Sequence, residues 1–397
     1  MNINEILNVV STPTYIFDKN RFVNEYKRLE KEFTKIYSNF LVGYSVKTNY
    51  TLDILKTVKE LGGFLEVVSD FEYEIASKII DDSKIIYNGP CKCNVISVNI
   101  LSNGGKVNAD SIEELVEIEN ICKKNNLHLN VGVRLDIDVG NDVNSRFGIK
   151  DLDKIEDFFR KSEVLTLEGI HCHITHAREL NYWELRTKTM ISIAKRFNDF
   201  TEIKYIDFGS NMYSDMKESL RKQYGEDIPD FKDYANIVAT AMKEAFPEEN
   251  VKIIIEAGTP IVASTMQLLA SVKRVKEKED VTYAILDTDQ YQLGFIAQVK
   301  QLPISIYNTK EKPTPRRNVV MSGFTCIEAD YLNKVDECCL DKGDYVLFEN
   351  VGAYSNVMAP NFINVVPSIV MKDLDGRIKI SKERTEYEDV FKRYRRN

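Results

Sequence analysis

From residue 40 onward the chain alternates short runs rich in β-branched and aromatic residues with longer stretches of helical spacing. Eight such runs follow one another: Phe40 to Val46, Phe64 to Val68, Lys84 to Tyr87, Lys106 to Asn108, Leu129 to Leu135, Leu167 to His173, Ile203 to Phe208 and Val251 to Ile255. Between them lie Thr51 to Leu61, Asp70 to Ile80, Ser111 to Lys124, Leu152 to Lys161, Trp183 to Phe197 and Tyr234 to Phe246, each long enough for a helix. Parallel neighbours cannot be joined by a tight hairpin and need a crossover of about a dozen residues, usually helical. The alternation therefore predicts a parallel sheet, and eight strands is the number that closes it into a (β/α)8 TIM barrel.

Beyond Ala263 the rhythm changes to strand-like runs with little helix between them: Tyr283 to Leu286, Ile304 to Tyr307, Asn318 to Ser322, Tyr345 to Glu349, Asn364 to Met371 and Ile378 to Ser381. The expected division is a barrel over residues 30–263 and a C-terminal β-rich domain, within the usual size range for a chain of 397 residues. The segment Lys310 to Arg317, with Pro313 and Pro315 among charges, is expected as an exposed loop. At the C-terminus Lys392, Arg393, Arg395 and Arg396 follow Glu386, Glu388 and Asp389, an order that suits the dipole of a short helix.

Charge narrows the partners. Lys and Arg number 53 against 61 Asp and Glu, a net charge of −8, so nothing draws nucleic acid or anionic lipid to the chain as a whole. A small molecule is the default partner. No stretch approaches the roughly 18 apolar residues of a membrane span, and the N-terminus carries no export signal. Seven cysteines do not make the dense, even framework of a small secreted domain and are expected reduced in a cytoplasm. Neither Cys91-Lys92-Cys93 nor Cys338-Cys339 supplies the paired C-x-x-C elements of a structural zinc site, so no metal is expected.

In such barrels chemistry sits at the carboxyl ends of the strands. Lys47 ends the first run, behind small and apolar residues that would bury its stem. It is either a snorkelling surface lysine or an amine depressed in pKa by desolvation and able to form a Schiff base. Three of the four histidines fall in His171-Cys172-His173-Ile174-Thr175-His176 at the end of the sixth run. On a strand His171 and His173 would share a side, yet no acid is placed by spacing to complete a metal site. A packed role for His171 and a functional imidazole at His173 are the readings favoured. Gly209-Ser210-Asn211 and Glu256-Ala257-Gly258-Thr259 end the last two runs, where barrels often bind phosphate through backbone N–H groups. Pyridoxal phosphate needs this combination: an amine for its carbonyl, loops for its phosphate and a carboxylate facing its ring nitrogen.

Several segments, in order, resemble the fold-type III pyridoxal-phosphate decarboxylases, the group of diaminopimelate and ornithine decarboxylases. The resemblance extends from Thr12-Pro13-Thr14-Tyr15-Ile16-Phe17-Asp18 to Gly352-Ala353-Tyr354. Tyr44-Ser45-Val46-Lys47-Thr48-Asn49 is similar to the family's Tyr-Ala-Val-Lys-Ala-Asn, which implies that Lys47 carries the cofactor. His173 matches the histidine that stacks on the ring, Glu256 the glutamate at the ring nitrogen, and Tyr354 a tyrosine that reaches the cofactor. Gly323-Phe324-Thr325-Cys326-Ile327-Glu328-Ala329-Asp330 resembles a motif whose cysteine enters the site of a second subunit. The resemblance implies an alanine racemase-like two-domain architecture, with residues 1–29 joining 264–397 in the β-rich domain. It also implies a homodimer with shared sites, with Cys326 as proton donor and Glu328 and Asp330 near the substrate.

The departures matter too. Thr175-His176 stands for Gly-Ser, Ser210-Asn211 for two glycines, and Thr259 for an arginine, so the phosphate grip must be rebuilt. Ser210, Asn211, Thr259 and Tyr354 are the expected neutral donors, with His176 or Arg178 restoring charge. Ile327 replaces the acid that follows the cysteine in many members, which leaves room for a substrate without a distal ammonium, or one tethered or conjugated to a larger group. The function expected is α-decarboxylation of an amino acid or amino-acid conjugate. A racemase or epimerase, and a catalytically silent cofactor-binding homologue, are the rivals.

Overall fold

In a computed structural model, residues 2–392 and 394 are described. Strand β1 (Thr14–Asp18) precedes the barrel. The barrel strands are β2 (Phe40–Ser45), β3 (Phe64–Val67), β4 (Ile85–Tyr87), β5 (Lys106–Ala109), β6 (Leu129–Arg134), β7 (Leu165–His171), β8 (Tyr205–Asp207) and β9 (Lys252–Ile255). All pair in parallel, and β9 returns to β2 with Phe40 opposite Ile253, closing the ring. Strands covered on both faces need no polar alternation, which is why Ile253, Ile254 and Ile255 can be consecutive and fully buried.

The crossover helices show why their sequences stop and start where they do. Leu152–Lys161 begins where the Asp151 side chain accepts the Lys154 N–H, and it buries Ile155 and Phe159. Phe231–Ala245 opens with a reciprocal capping box between Asp230 and Asp233. Two helices of nine or more residues lie outside the expected set. Lys19–Thr34 turns Phe22, Tyr26, Leu29 and Phe33 inward, and Asn94–Ser102 is apolar on several sides, so spacing does not mark it as amphipathic.

The remaining strands are β10 (Met266–Lys278), β11 (Val281–Leu286), β12 (Ile304–Tyr307), β13 (Pro315–Ser322), β14 (Tyr331–Cys339), β15 (Tyr345–Phe348), β16 (Ser368–Lys372) and β17 (Ile378–Lys382). They form one sheet in the order β14-β13-β11-β10-β1-β16-β17, with β15 joining β10 to β12. Strand β1 lies antiparallel to β10 and parallel to β16. The loop expected over 310–317 ends early, because Pro315, Arg316 and Arg317 already pair with Cys339, Cys338 and Glu337. Proline is tolerated as the first residue of a strand, where its missing N–H removes no ladder bond. The short helix Tyr387–Phe391 is present near the C-terminus, whereas Arg393, Arg395 and Arg396 lie outside the described residues.

Candidate active site

Strand β2 runs into a single 3-10 turn, Val46–Thr48, which lifts Lys47 onto the barrel rim. Its Nζ donates to Glu66 Oε2 of β3 at 2.6 Å. Desolvation works to lower the amine's pKa, but the carboxylates of Glu66 and Glu256 outweigh it and hold the amine above its ordinary value. The depressed amine entertained from the sequence is therefore corrected: without a cofactor Lys47 is an ammonium in a carboxylate cage. Beside it Glu72, capping the β3 loop through the Val68 N–H, has its carboxyl pushed up to about 7 by burial and by Glu66.

Glu256 follows β9 and is buried. The Asn88 amide, just after β4, donates to its Oε1, and His171 Nε2 lies 3.4 Å from its Oε2. Burial works to raise the Glu256 carboxyl, yet His171, Lys47 and His173 bring it below the usual carboxylate range. The opposite holds for Asp207 at the end of β8, pushed well up by burial and by the Glu256 charge. Two adjacent carboxylates do not both ionise, and here Glu256 carries the charge while Asp207 keeps a proton.

The strand ends at His171, so His173 lies just beyond it, and both imidazoles act on the Glu256 carboxylate. Spacing also missed the acids that His171 meets, since donor atoms of His171, Asp207 and Glu256 lie within 4.8 Å of one another. The Asn88 amide donated to Glu256 gives that carboxylate a hydrogen-bond partner of its own. The His173 imidazole is pulled down to about 3 by burial and then by the Lys47 charge, so it is neutral, and its Nδ1 accepts the Ser210 N–H at 3.4 Å.

The loops after β8 and β9 form a cradle. Gly209 has φ +60°, and a Cβ there would lie 2.5 Å from the Cys172 carbonyl oxygen. A Cβ on Gly258 would lie 2.1 Å from Thr48 Oγ1, so this loop packs directly on the turn that carries Lys47. The buried Ser210 hydroxyl has no protein partner among the described residues, which suits a ligand oxygen. Asn211 has less to offer: its Nδ2 donates to Ile174 O at 3.1 Å and its Oδ1 accepts Arg178 Nε at 3.0 Å. Arg178, Thr259 and Tyr354 line one cavity of about 220 Å³. His176 is exposed and does not line it, so Arg178 is the cation placed to replace the missing charge. The orphaned hydroxyl, the glycine cradle and this guanidinium together fit a phosphate.

Tyr354 arrives from the same chain's β-rich part, with φ +55° and its N–H donated to Thr48 O at 3.0 Å. Cys326 and Glu328 do not join this group. Both are exposed and line a separate cavity of about 350 Å³ with Lys276, Tyr283 and Tyr331, without any barrel residue. Asp330 is buried, and its carboxylate is spent on the loop itself, accepting Gln290 N–H at 3.0 Å and Thr325 Oγ1 at 2.6 Å. The structure thus gathers Lys47, His173, Gly209, Ser210, Asn211, Glu256, Gly258, Thr259 and Tyr354, and leaves Cys326, Glu328 and Asp330 apart. Glu66, Asn88 and Asp207 were missed, although each sits at or just past a strand end, where the position alone was a signal.

A rim that offers an amine, a neutral imidazole and an ionised carboxylate around a phosphate cradle defines a barrel enzyme of pyridoxal-phosphate chemistry. Residues 20–263 match the family model described as pyridoxal-dependent decarboxylase, pyridoxal binding domain, and the chain belongs to that family. It is similar to the diaminopimelate decarboxylase of Methanocaldococcus jannaschii, 28% identical with 98% of this chain and 92% of the relative covered. That of Aquifex aeolicus is 24% identical, with 98% and 93% covered. Among solved structures, the M. jannaschii diaminopimelate decarboxylase superposes with a TM-score of 0.87 at 23% identity, covering 99% of this chain and 94% of the other. The Helicobacter pylori diaminopimelate decarboxylase complexed with L-lysine does so with 0.84 at 22%, covering 98% of each.

Two outcomes follow for this rim. Glu256→Gln is expected to lower turnover by about 10²-fold while leaving the melting temperature nearly unchanged, because the amide keeps the shape but not the charge. Steady-state kinetics with a thermal melt checks this, and near-normal turnover would assign the ring nitrogen to another group. Arg178→Ala is expected to weaken cofactor binding roughly tenfold, the scale of one charge-assisted hydrogen bond, and an absorbance titration with pyridoxal phosphate measures it.

Proposed function

We propose that the chain removes the α-carboxylate of an amino acid as a homodimer whose sites are completed across the subunit interface. The observation that carries this reading is the Lys47 amine held on Glu66 in the same rim as Glu256 and His173. Pyridoxal phosphate, when bound, supplies a carbonyl for an amine and a protonated ring that takes up the electron pair left by carbon dioxide. Lys47 must lose a proton before its Nζ can attack, and Glu66 Oε2 is the nearest acceptor. Glu256, ionised, would face the ring nitrogen and favour its protonated form. The neutral His173 would lie against the cofactor without adding a competing charge. Ser210, Thr259 and Arg178 would hold the phosphate. Cys326, supplied by the partner subunit, returns a proton at the α-carbon.

The relatives' name makes diaminopimelate the first substrate to test. A second reading, an amino acid conjugated to a larger group, is favoured by Ile327 and the exposed Glu328 in the cavity beside Cys326, which provide no enclosed carboxylate for a distal ammonium. Among the described residues no helix is long and apolar enough to cross a membrane. The seven free thiols support a cytoplasmic setting as part of the same reading. Carbon dioxide release, measured over a panel of diamino acids and their conjugates beside optical rotation, is the test. Rotation lost without gas evolved would replace decarboxylation by racemisation.

A further inference from the structure

Arg186 is the one guanidinium of the barrel that is completely buried, and it meets no carboxylate. It projects from the helix Leu180–Phe197, the crossover between β7 and β8, with its Cζ 4.2 Å from the centre of the Trp183 ring. Its Nη1 donates to the carbonyls of Phe208 at 3.0 Å and Ser210 at 2.9 Å, and its Nη2 reaches Ala177 O at 3.5 Å. Nε has no partner. An ion taken out of water is costly unless an opposite charge repays it, and carbonyl dipoles repay only part. A charge so placed calls for an anion, and the loop whose carbonyls it holds also carries the Ser210 hydroxyl that has no partner among the described residues.

The loop geometry says how the two sides communicate. In a trans peptide the N–H points away from the preceding carbonyl, so drawing Ser210 O onto the guanidinium turns the Asn211 N–H away from it. Ala177 is joined to the same guanidinium, which ties the loop after β7, carrying Arg178, to the loop after β8, carrying Gly209 and Ser210. Gly209 is held from its other side by Asp207, whose Oδ1 accepts its N–H at 2.9 Å. The loop after β7 is also held by Tyr234 Oη, which donates to Arg178 O at 2.7 Å, and the loop after β8 by Gly209 O, which accepts the Glu256 N–H at 2.8 Å, but Arg186 is the group that joins the two loops from beneath.

We propose that Arg186 is a positioning residue for the phosphate end of the cofactor: from beneath the two loops it sets their backbone and supplies the buried positive charge that a bound phosphate neutralises. It touches no phosphate itself. This rests on the reading of the rim as a pyridoxal-phosphate site, and deepens it by adding, behind the loops that carry Arg178 and Ser210, a second and buried positive charge.

The test compares wild-type, Arg186→Lys and Arg186→Met chains in two ways that do not depend on turnover. One is binding of pyridoxal phosphate against pyridoxal, which lacks the phosphate, followed by absorbance. The other is the rise in melting temperature of cofactor-free protein with inorganic phosphate against chloride at equal ionic strength. Arg186→Met is expected to weaken pyridoxal phosphate by roughly 10- to 100-fold, leave pyridoxal within about threefold, and abolish the phosphate-specific rise. Arg186→Lys, which keeps the charge but not the fork, should fall between. Equal losses for pyridoxal phosphate and pyridoxal, or no loss of either, would overturn the proposal. Should Arg186→Met fail to fold, Arg186→Lys decides, since an unchanged ratio of the two affinities in that variant overturns it equally. Wild-type protein that binds no pyridoxal phosphate would instead overturn the reading of the rim.

Discussion

Lys47→Ala is expected to lower turnover by at least about 10³-fold, and borohydride reduction in the presence of pyridoxal phosphate is expected to label the peptide containing Lys47 in the wild type alone. The rival for that label is Lys92, which lies after β4 at the same end of the barrel and is more deeply buried. Burial lowers its pKa, whereas the carboxylates around Lys47 raise that amine, so proton affinity alone would select the wrong lysine. Geometry decides. The Lys92 Nζ spends its donors on Gly89 O, Asn108 O and Glu114, and its side chain is fully enclosed. Lys47 has one partner, Glu66, and its side chain remains about a third exposed toward the rim. Mass mapping that placed the label on Lys92, or on no lysine, would overturn the assignment.

Mixing inactive Lys47→Ala protein with inactive Cys326→Ala protein is expected to restore activity from background to about a quarter of the wild-type sites. Within one chain Cys326 lines a cavity that contains no barrel residue, so it reaches Lys47 only if a second chain presents it. In a mixed dimer one site combines two damaged groups and the other combines an intact Lys47 with an intact Cys326. Random exchange makes about half of the dimers mixed, hence roughly one site in four. No recovery, with exchange confirmed by native mass, would place Cys326 outside the chemistry.

The barrel was legible because its signal is local. Eight buried parallel strands leave apolar runs, and the crossovers between them leave helical spacing, so both can be counted without knowing which residues meet. Lys47, His173 and Glu256 were legible for a related reason: a barrel places chemistry at strand ends, and a strand end is a position in sequence. What escaped was pairing. Strand β14 and the second half of the 13-residue strand β10 are largely exposed and charged, and hydrogen bonds to β13 and β11 rather than any burial pattern hold them extended; the first half of β10, mostly buried between β1 and β15, also went uncounted.

The site divides along the same line. By itself the sequence determined which side chains stand on the rim, since each follows its own strand. Only the tertiary structure decided their charge. Lys47 is an ammonium because Glu66, from the next strand, supplies an opposite charge; Glu256 is held low by His171, Lys47 and His173, whereas burial and the Glu256 charge push Asp207 up. Arg186 shows the same thing from beneath, a charge 22 residues from the carbonyl of Phe208 that it holds. Coulomb energy falls with distance in space and rises as water is excluded, and neither quantity exists along a chain until the strands have closed.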